Sequence, residues 1–172
     1  MLFRMEKEGA RKKAYLIMMG SGVRITEAEM DNLLVEDYGC SNLKVIGTQR
    51  MVYLNAEAYA AEVVLFPGQT RPELQHPDRT VTIRCREGKV YVYTEGEQLV
   101  PIKAKIPKGR NNDFTVFCEK ELNPGEQMAI PAGTKYWMQG AENGALLLEL
   151  SGPYDAGQDV FTGSSYRVTV LE

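Results

Sequence analysis

A single histidine, His76, three cysteines and a few carboxylates at strand-like spacing carry the chemical options of this chain. Glu62, Glu73 and Glu149 are candidate acid–base groups. Glu149 has the strongest case, because it interrupts the apolar run Leu146, Leu147, Leu148, Leu150, where a carboxylate needs either a partner or an outward direction. Cys85 and Cys118 could form a soft metal site with His76, although such a site demands ligand count and geometry as well as ligand type. Cys40, Cys85 and Cys118 are odd in number and far apart, with no C-x-x-C pair, which argues against a disulfide framework and a zinc knuckle. Structural thiols are the plainer account of all three.

The elements that must position these groups are legible as a change of period. Residues 2–19 mix good helix formers with a loose apolar stripe (Leu2, Met5, Leu16, Ile17) and are broken by Gly20, Ser21 and Gly22, which predicts a helix. Thr26 and Glu29 form a capping box ahead of Met30, Leu33 and Leu34, which predicts a second, short helix. From Lys44 onward, short runs rich in Val, Ile, Tyr and Thr alternate with turn residues, the signature of an antiparallel sheet closing into a sandwich or barrel. Strands are expected near 45–54, 59–66, 80–86, 89–94, 99–105, 113–119, 127–131, 135–139, 145–150 and 165–171. The expected organisation is one domain over 1–172, with a helical segment at 1–35 and a barrel at 44–172. The helices are expected to pack on the outside of the barrel or on a partner subunit.

The length of 172 residues suffices to bury a core without disulfides or a structural metal. With 44% hydrophobic and 25% charged residues and a formal net charge of -3, the composition is that of an ordinary globular protein and suggests neither nucleic acid nor membrane as a partner. The basic cluster Arg11, Lys12, Lys13 followed by Ala14–Met19 is too short, and too closely preceded by Glu6 and Glu8, for a secretion signal; a cytoplasmic location is expected.

Two stretches carry a defined spacing. Gly68 stands six residues before Leu74, His76 follows, and Val81 stands seven before Gly88. Further on come Gly125, Pro131, Gly133, Tyr136 and Gly140. This spacing resembles the two motifs of the cupins, in which glycines and a proline turn the chain between strands of a narrow barrel. The resemblance implies a double-stranded β-helix, or jelly-roll, barrel. Alternation puts 74 and 76 on one face of their strand and 81, 83 and 85 on one face of the next. In a metal-binding cupin two His, a Glu and a third His converge on those inward positions; here they are Leu74, His76, Val81 and Tyr136.

The strings Val35–Gly39, Val64–Thr70, Ile83–Arg86, Gly88–Tyr93, Ile102–Pro107, Pro131–Trp137 and Asp159–Thr162 resemble the bacterial D-lyxose isomerases, a family also described as an auxiliary component of sugar transport. The similarity runs from the N-terminal helices to the C-terminus and implies a common fold rather than a common activity. Departures fall where the chemistry would be. The family's Pro-Glu-His-x-His-Pro stands here as Pro72–Pro77 with Leu74 in place of the first His, and a loop ending in Glu-Glu-Thr is shortened to Asp78–Thr82. A His-Trp pair becomes Tyr136-Trp137, a Trp-His-Glu triplet becomes Phe117-Cys118-Glu119, and a Lys-Glu pair becomes Ala61-Glu62.

Aldose–ketose isomerisation by the family's chemistry would need a divalent metal to polarise the sugar oxygens while a base moves a proton. Three replaced ligand positions predict that no cofactor is held; manganese or a similar ion enters only if the site has been rearranged. His76 reads either as a surviving ligand or sugar hydrogen-bonding group, or as an imidazole satisfied by one barrel neighbour. Tyr136 reads as a phenol offered to a ligand in the barrel mouth or as a filler of the volume a metal would occupy. The candidate pocket is therefore His76, Tyr136, Cys85, Cys118 and Glu149. Three functions stand open: a non-catalytic cupin binding a sugar or other small molecule, a D-lyxose isomerase-like enzyme with a rearranged site, and a structural or protein-binding relic with a filled barrel. The resemblance, together with the loosely apolar N-terminal helix, leads us to expect a homodimer.

Overall fold

The computed structural model describes residues 2–168. Helix α1 (Leu2–Gly20) and the one-turn α2 (Glu27–Met30) precede nine strands: β1 (Leu34–Glu36), β2 (Thr48–Leu54), β3 (Tyr59–Leu65), β4 (Thr70–Gln75), β5 (Val81–Thr94), β6 (Cys118–Leu122), β7 (Gln127–Ile130), β8 (Tyr136–Ser151) and β9 (Val160–Phe161). All strand pairings are antiparallel. The capping box is present as expected: Glu29 N donates to Thr26 Oγ1, and Thr26 N donates to Glu29 Oε2.

β5 and β8 build the barrel because each turns a corner midway. The first half of β8 pairs with β4 and with Val90–Thr94 of β5, which carries β6 on its other edge. The second half pairs with β3 and with the first half of β5, which carries β7; β2 and β1 extend β3. The breaks expected between the strands at 80–86 and 89–94, and between those at 135–139 and 145–150, are thus corners inside continuous strands. Gly88 and Gly144 both have positive φ, and a Cβ on Gly88 would stand 2.1 Å from the Gly144 carbonyl oxygen. Only glycine lets the two corners cross so closely. Folding back at these corners brings Tyr136 and Ser151, and likewise Val81 and Thr94, to the same end of the barrel, its mouth.

The inward alternation read from the sequence holds: Leu74, Val81, Ile83, Cys85, Tyr136 and Met138 share one buried cluster with Ala61, Val63, Leu65, Val90, Val92 and Leu147. Each such aliphatic side chain contributes about 1.5–3 kcal/mol by leaving water. The helices pack on the barrel's outer face within the same chain. Ala14 and Met18 of α1 join Ile25, Leu33, Met51, Val64 and Leu146. The buried face of α1 is therefore Ala10, Ala14 and Met18, spaced four residues apart, whereas Met5 and Leu16 of the expected stripe are exposed. This removes one physical ground for expecting a dimer, because the helix finds its partner at home.

Two expected strands are irregular segments, each for a visible reason. Over 99–105, interrupted by Pro101 and followed by Pro107, the amides of Lys103, Ala104 and Lys105 donate to Glu119 Oε2, the Tyr93 hydroxyl and Gln139 Oε1 instead of to a strand. Over 113–119 the amides of Thr115 and Val116 donate to the Glu73 carboxylate, so β6 starts only at Cys118. Of the strand expected at 165–171, residues 165–168 are not in a strand and the remainder lies outside the described residues. Strands β1, β4 and β9 go beyond the expected list.

Candidate functional site at the barrel mouth

The inward quartet converges at the mouth. Leu74 of β4 is paired with Tyr136 of β8, and His76 follows directly after β4. The His76 ring is gripped from both sides, with Nδ1 2.6 Å from Asp159 Oδ1 and Nε2 2.8 Å from the Tyr136 hydroxyl. A carboxylate only accepts, so Nδ1 carries the proton given to Asp159. Burial pushes the Tyr136 phenol far above its ordinary pKa, so it stays an O–H donor and its proton points at the Nε2 lone pair. That lone pair is the one a metal would need.

Glu149 has found its partner across the barrel. Arg71 of β4 reaches Glu149 of β8, Nη1 to Oε2 at 2.5 Å and Nη2 to Oε1 at 3.5 Å, with both side chains 4% exposed. Burial alone would raise the Glu149 carboxyl, but the Arg71 guanidinium outweighs it and holds the group below the usual carboxylate range. Sequence reasoning missed Arg71 because of a bulge. Between Arg71 and Leu74 the register with β8 shifts, so two residues an odd number apart both face inward.

Four further residues, also missed, complete the mouth. Arg50 of β2 donates from Nη1 to the Tyr59 hydroxyl at 3.2 Å. Tyr59 stacks on Tyr154 with centroids 4.8 Å apart. The Arg79 guanidinium lies 5.1 Å from the Tyr154 centroid and donates to Asp159 at 3.0 Å. Through Tyr154 and Asp159, the segment after β8 closes over the barrel end. Tyr154 and Asp159 are distant in sequence from both motifs, so no local signal marks them; Arg50 leaves only the faint one of a cation within a strand-like run.

The other sequence candidates lie apart from this network. Cys85 sits toward the corner end, beside Leu147, where its thiol donates to the Glu87 and Gly88 carbonyls; burial pushes it up to about 11, so it stays a thiol. Cys118 pairs with Thr94 at the opposite end, half-buried against Gly96. The two thiols thus lie at opposite ends of the barrel and the soft site of Cys85, Cys118 and His76 is not assembled, Cys118 standing at the mouth end without joining the His76–Tyr136 network. Glu62 faces outward in a bidentate pair with Arg86, both contacts 2.8 Å. Glu73 is fully engaged outside the barrel by Thr115, Val116 and Thr162. Neither is free for acid–base work.

The donor set does not fit a divalent ion. Leu74 and Val81 offer no donor, Tyr136 holds a raised, protonated phenol, and the His76 lone pair is taken. Among the described residues, no group of three or more His, Cys, Asp and Glu is placed to hold a metal.

Barrel, corner glycines and mouth define a cupin of the sugar-isomerase kind. The L-ribose isomerase of Acinetobacter sp. DL28 in complex with L-ribose superposes with a TM-score of 0.79 over 95% of this chain and 93% of that one, at 12% identity, which speaks to the fold. No family model matches the chain. The D-lyxose/D-mannose isomerase of Thermosediminibacter oceani is 41% identical over 169 residues, 94% of this chain and 93% of that protein. The D-lyxose ketol-isomerase of Cohnella laeviribosi is 40% identical over 171 residues, 95% and 94% of the two chains. The chain belongs to the D-lyxose isomerase family. Among the described residues, no helix is long and apolar enough to cross a membrane.

Proposed function

We propose that this protein is a non-catalytic member of the D-lyxose isomerase family that binds a small polar molecule of the sugar class at the barrel mouth, without a metal. One observation supports the reading: among the described residues the mouth brings together no set of metal donors, yet its interior is charged and hydrogen-bonding. Leu74, Val81 and Tyr136 hold the ligand positions, while Arg71–Glu149, Arg50–Tyr59 and Asp159–His76–Tyr136 line the same end. A relic kept only for its fold gains nothing from buried ions, since apolar side chains of similar volume are often neutral or stabilising by about 1–4 kcal/mol in their place. The structural neighbour that holds L-ribose has the same fold, which supports a sugar-sized occupant.

The occupant enters by displacing Tyr154, whose ring is held by stacking and cation–π contacts rather than by covalent or backbone ties. Calorimetric titration with D-lyxose, D-mannose and their acidic derivatives, alongside a ketose assay on the two sugars, tests the reading. Saturable binding without ketose formation is expected; absence of binding by every compound would overturn it. The homodimer remains part of this proposal, and light scattering at micromolar concentration should give twice the chain mass.

A further inference from the structure

Of the three guanidinium groups at the mouth, Arg50 is the one without a carboxylate in ion-pair contact among the described residues. Arg50, Arg71 and Arg79 are each at least nine-tenths buried. Glu149 answers Arg71, and Asp159 and Asp78 answer Arg79, whereas Arg50 makes no ion pair among the described residues. Among the described residues Arg50 donates to the neutral Tyr59 hydroxyl and to no carboxylate. The Nε of all three arginines is buried with no hydrogen-bond partner among the described residues. The buried carboxylates just before Tyr38 are engaged: Glu36 accepts from the Tyr38 backbone amide, and Asp37 accepts from the Gly39 and Ser41 amides and faces Lys7. A guanidinium cannot escape its charge by losing a proton, so Arg50 is a permanent buried cation with no ion-pair partner among the described residues, Glu149 acting on it only from a longer range. Buried unsatisfied groups of this kind in native folds call for a specific cause, such as a ligand.

Arg50 and Arg71 act on one another electrostatically, and both have Tyr38 and Tyr59 as neighbours. They therefore share one buried polar neighbourhood at the mouth, Arg50 against the Tyr59 hydroxyl and the Arg71 guanidinium 5.9 Å from the Tyr136 ring centroid, next to the stacked pair Tyr59 and Tyr154. Guanidinium planes match oxyanions bidentately, and phenol rings offer flat faces and hydroxyls to a sugar.

Resting on the small-molecule reading above, we propose that the ligand is an acidic sugar derivative, whose carboxylate or phosphate group is the missing counter-ion of Arg50 and whose hydroxyls meet Tyr59, Tyr136 and Glu149. The anion completes the charge pairing that the chain leaves open. Binding is then governed by charge, and the neutral sugar is the weaker ligand.

The test is calorimetric titration of the intact protein with D-mannose, D-lyxose, D-mannonate, D-mannose 6-phosphate and inorganic phosphate, at low and high salt. At least one of the two acidic sugars should bind ten-fold or more tighter than D-mannose, with affinity falling as salt rises; which of the two binds tells carboxylate from phosphate. Arg50→Met should remove that preference while leaving the thermal midpoint of the free protein equal or higher, because it removes an unpaired buried charge. Equal affinity for neutral and acidic sugars would overturn the inference and leave the small-molecule reading standing. Inorganic phosphate binding as tightly as the sugar phosphate would show an anion site with no sugar component and overturn the inference. No binding by any compound would overturn both, and a sharply lowered midpoint in Arg50→Met would show that Arg50 is already satisfied within the fold.

Discussion

Removing Arg71 should be far more damaging than removing Arg71 and Glu149 together. Arg71→Met leaves the Glu149 carboxylate 4% exposed inside the barrel with its bidentate partner gone. Losing one member of a buried pair costs about 3–5 kcal/mol, and for a chain of this size each kcal/mol moves the thermal midpoint by about 2–4 °C, so the single variant should melt ~6–20 °C lower. The double variant Arg71→Met/Glu149→Leu removes both ions and should recover most of that loss. The pH dependence follows from the sign of the Glu149 shift. Its folded pKa is depressed, so the stability it contributes is present above the unfolded carboxyl value and is lost as pH falls through the folded one. In Arg71→Met the carboxyl instead rises through desolvation, and the variant's deficit should shrink as Glu149 becomes protonated at acidic pH. Thermal melts by circular dichroism between pH 4 and 8 read both effects. A double variant as unstable as the single one, or a deficit that does not change with pH, would refute the view that uncompensated charge sets the cost.

Tyr136→Phe keeps the ring but leaves His76 Nε2 without its donor, and should cost about 1–3 kcal/mol by denaturant unfolding. Gly88→Ala places a methyl against the Gly144 carbonyl at a positive φ and should strongly reduce the yield of folded protein, whereas Gly109→Ala, where φ is also positive but no heavy atom lies near, isolates the backbone cost alone. Glu73→Gln keeps the shape but weakens the clasp on Thr115, Val116 and Thr162, and should raise amide hydrogen exchange at 115–116 before it changes the barrel.

How much of this was legible in advance depended on whether the signal was local. The spacing of Gly68, Leu74, His76 and Gly88, and of Gly125, Pro131, Gly133 and Tyr136, located the barrel and its inward quartet, because turns and alternation are properties of neighbouring residues. Glu149 announced a need for a partner by its apolar surroundings but could not say which. Arg71 was hidden by the bulge that reverses its parity relative to Leu74. Asp159 reaches His76 from 83 residues away, a pairing that only the folded chain creates. The misplaced strands at 99–105 and 113–119 show the same limit: their composition suits a sheet, but side chains of Tyr93, Glu119, Gln139 and Glu73 claim their amides first.

The central claim, that the mouth is a binding site without metal-dependent turnover, is tested most directly by metal analysis of protein purified after growth with added manganese, together with ketose formation from D-lyxose and D-mannose. The account predicts less than stoichiometric divalent metal and no turnover in the natural protein; Leu74→His, Val81→Glu and Tyr136→His should each fail alone to confer either, since none supplies a full ligand set. One equivalent of tightly bound metal, with isomerase activity abolished by a chelator and restored by the ion, would contradict it.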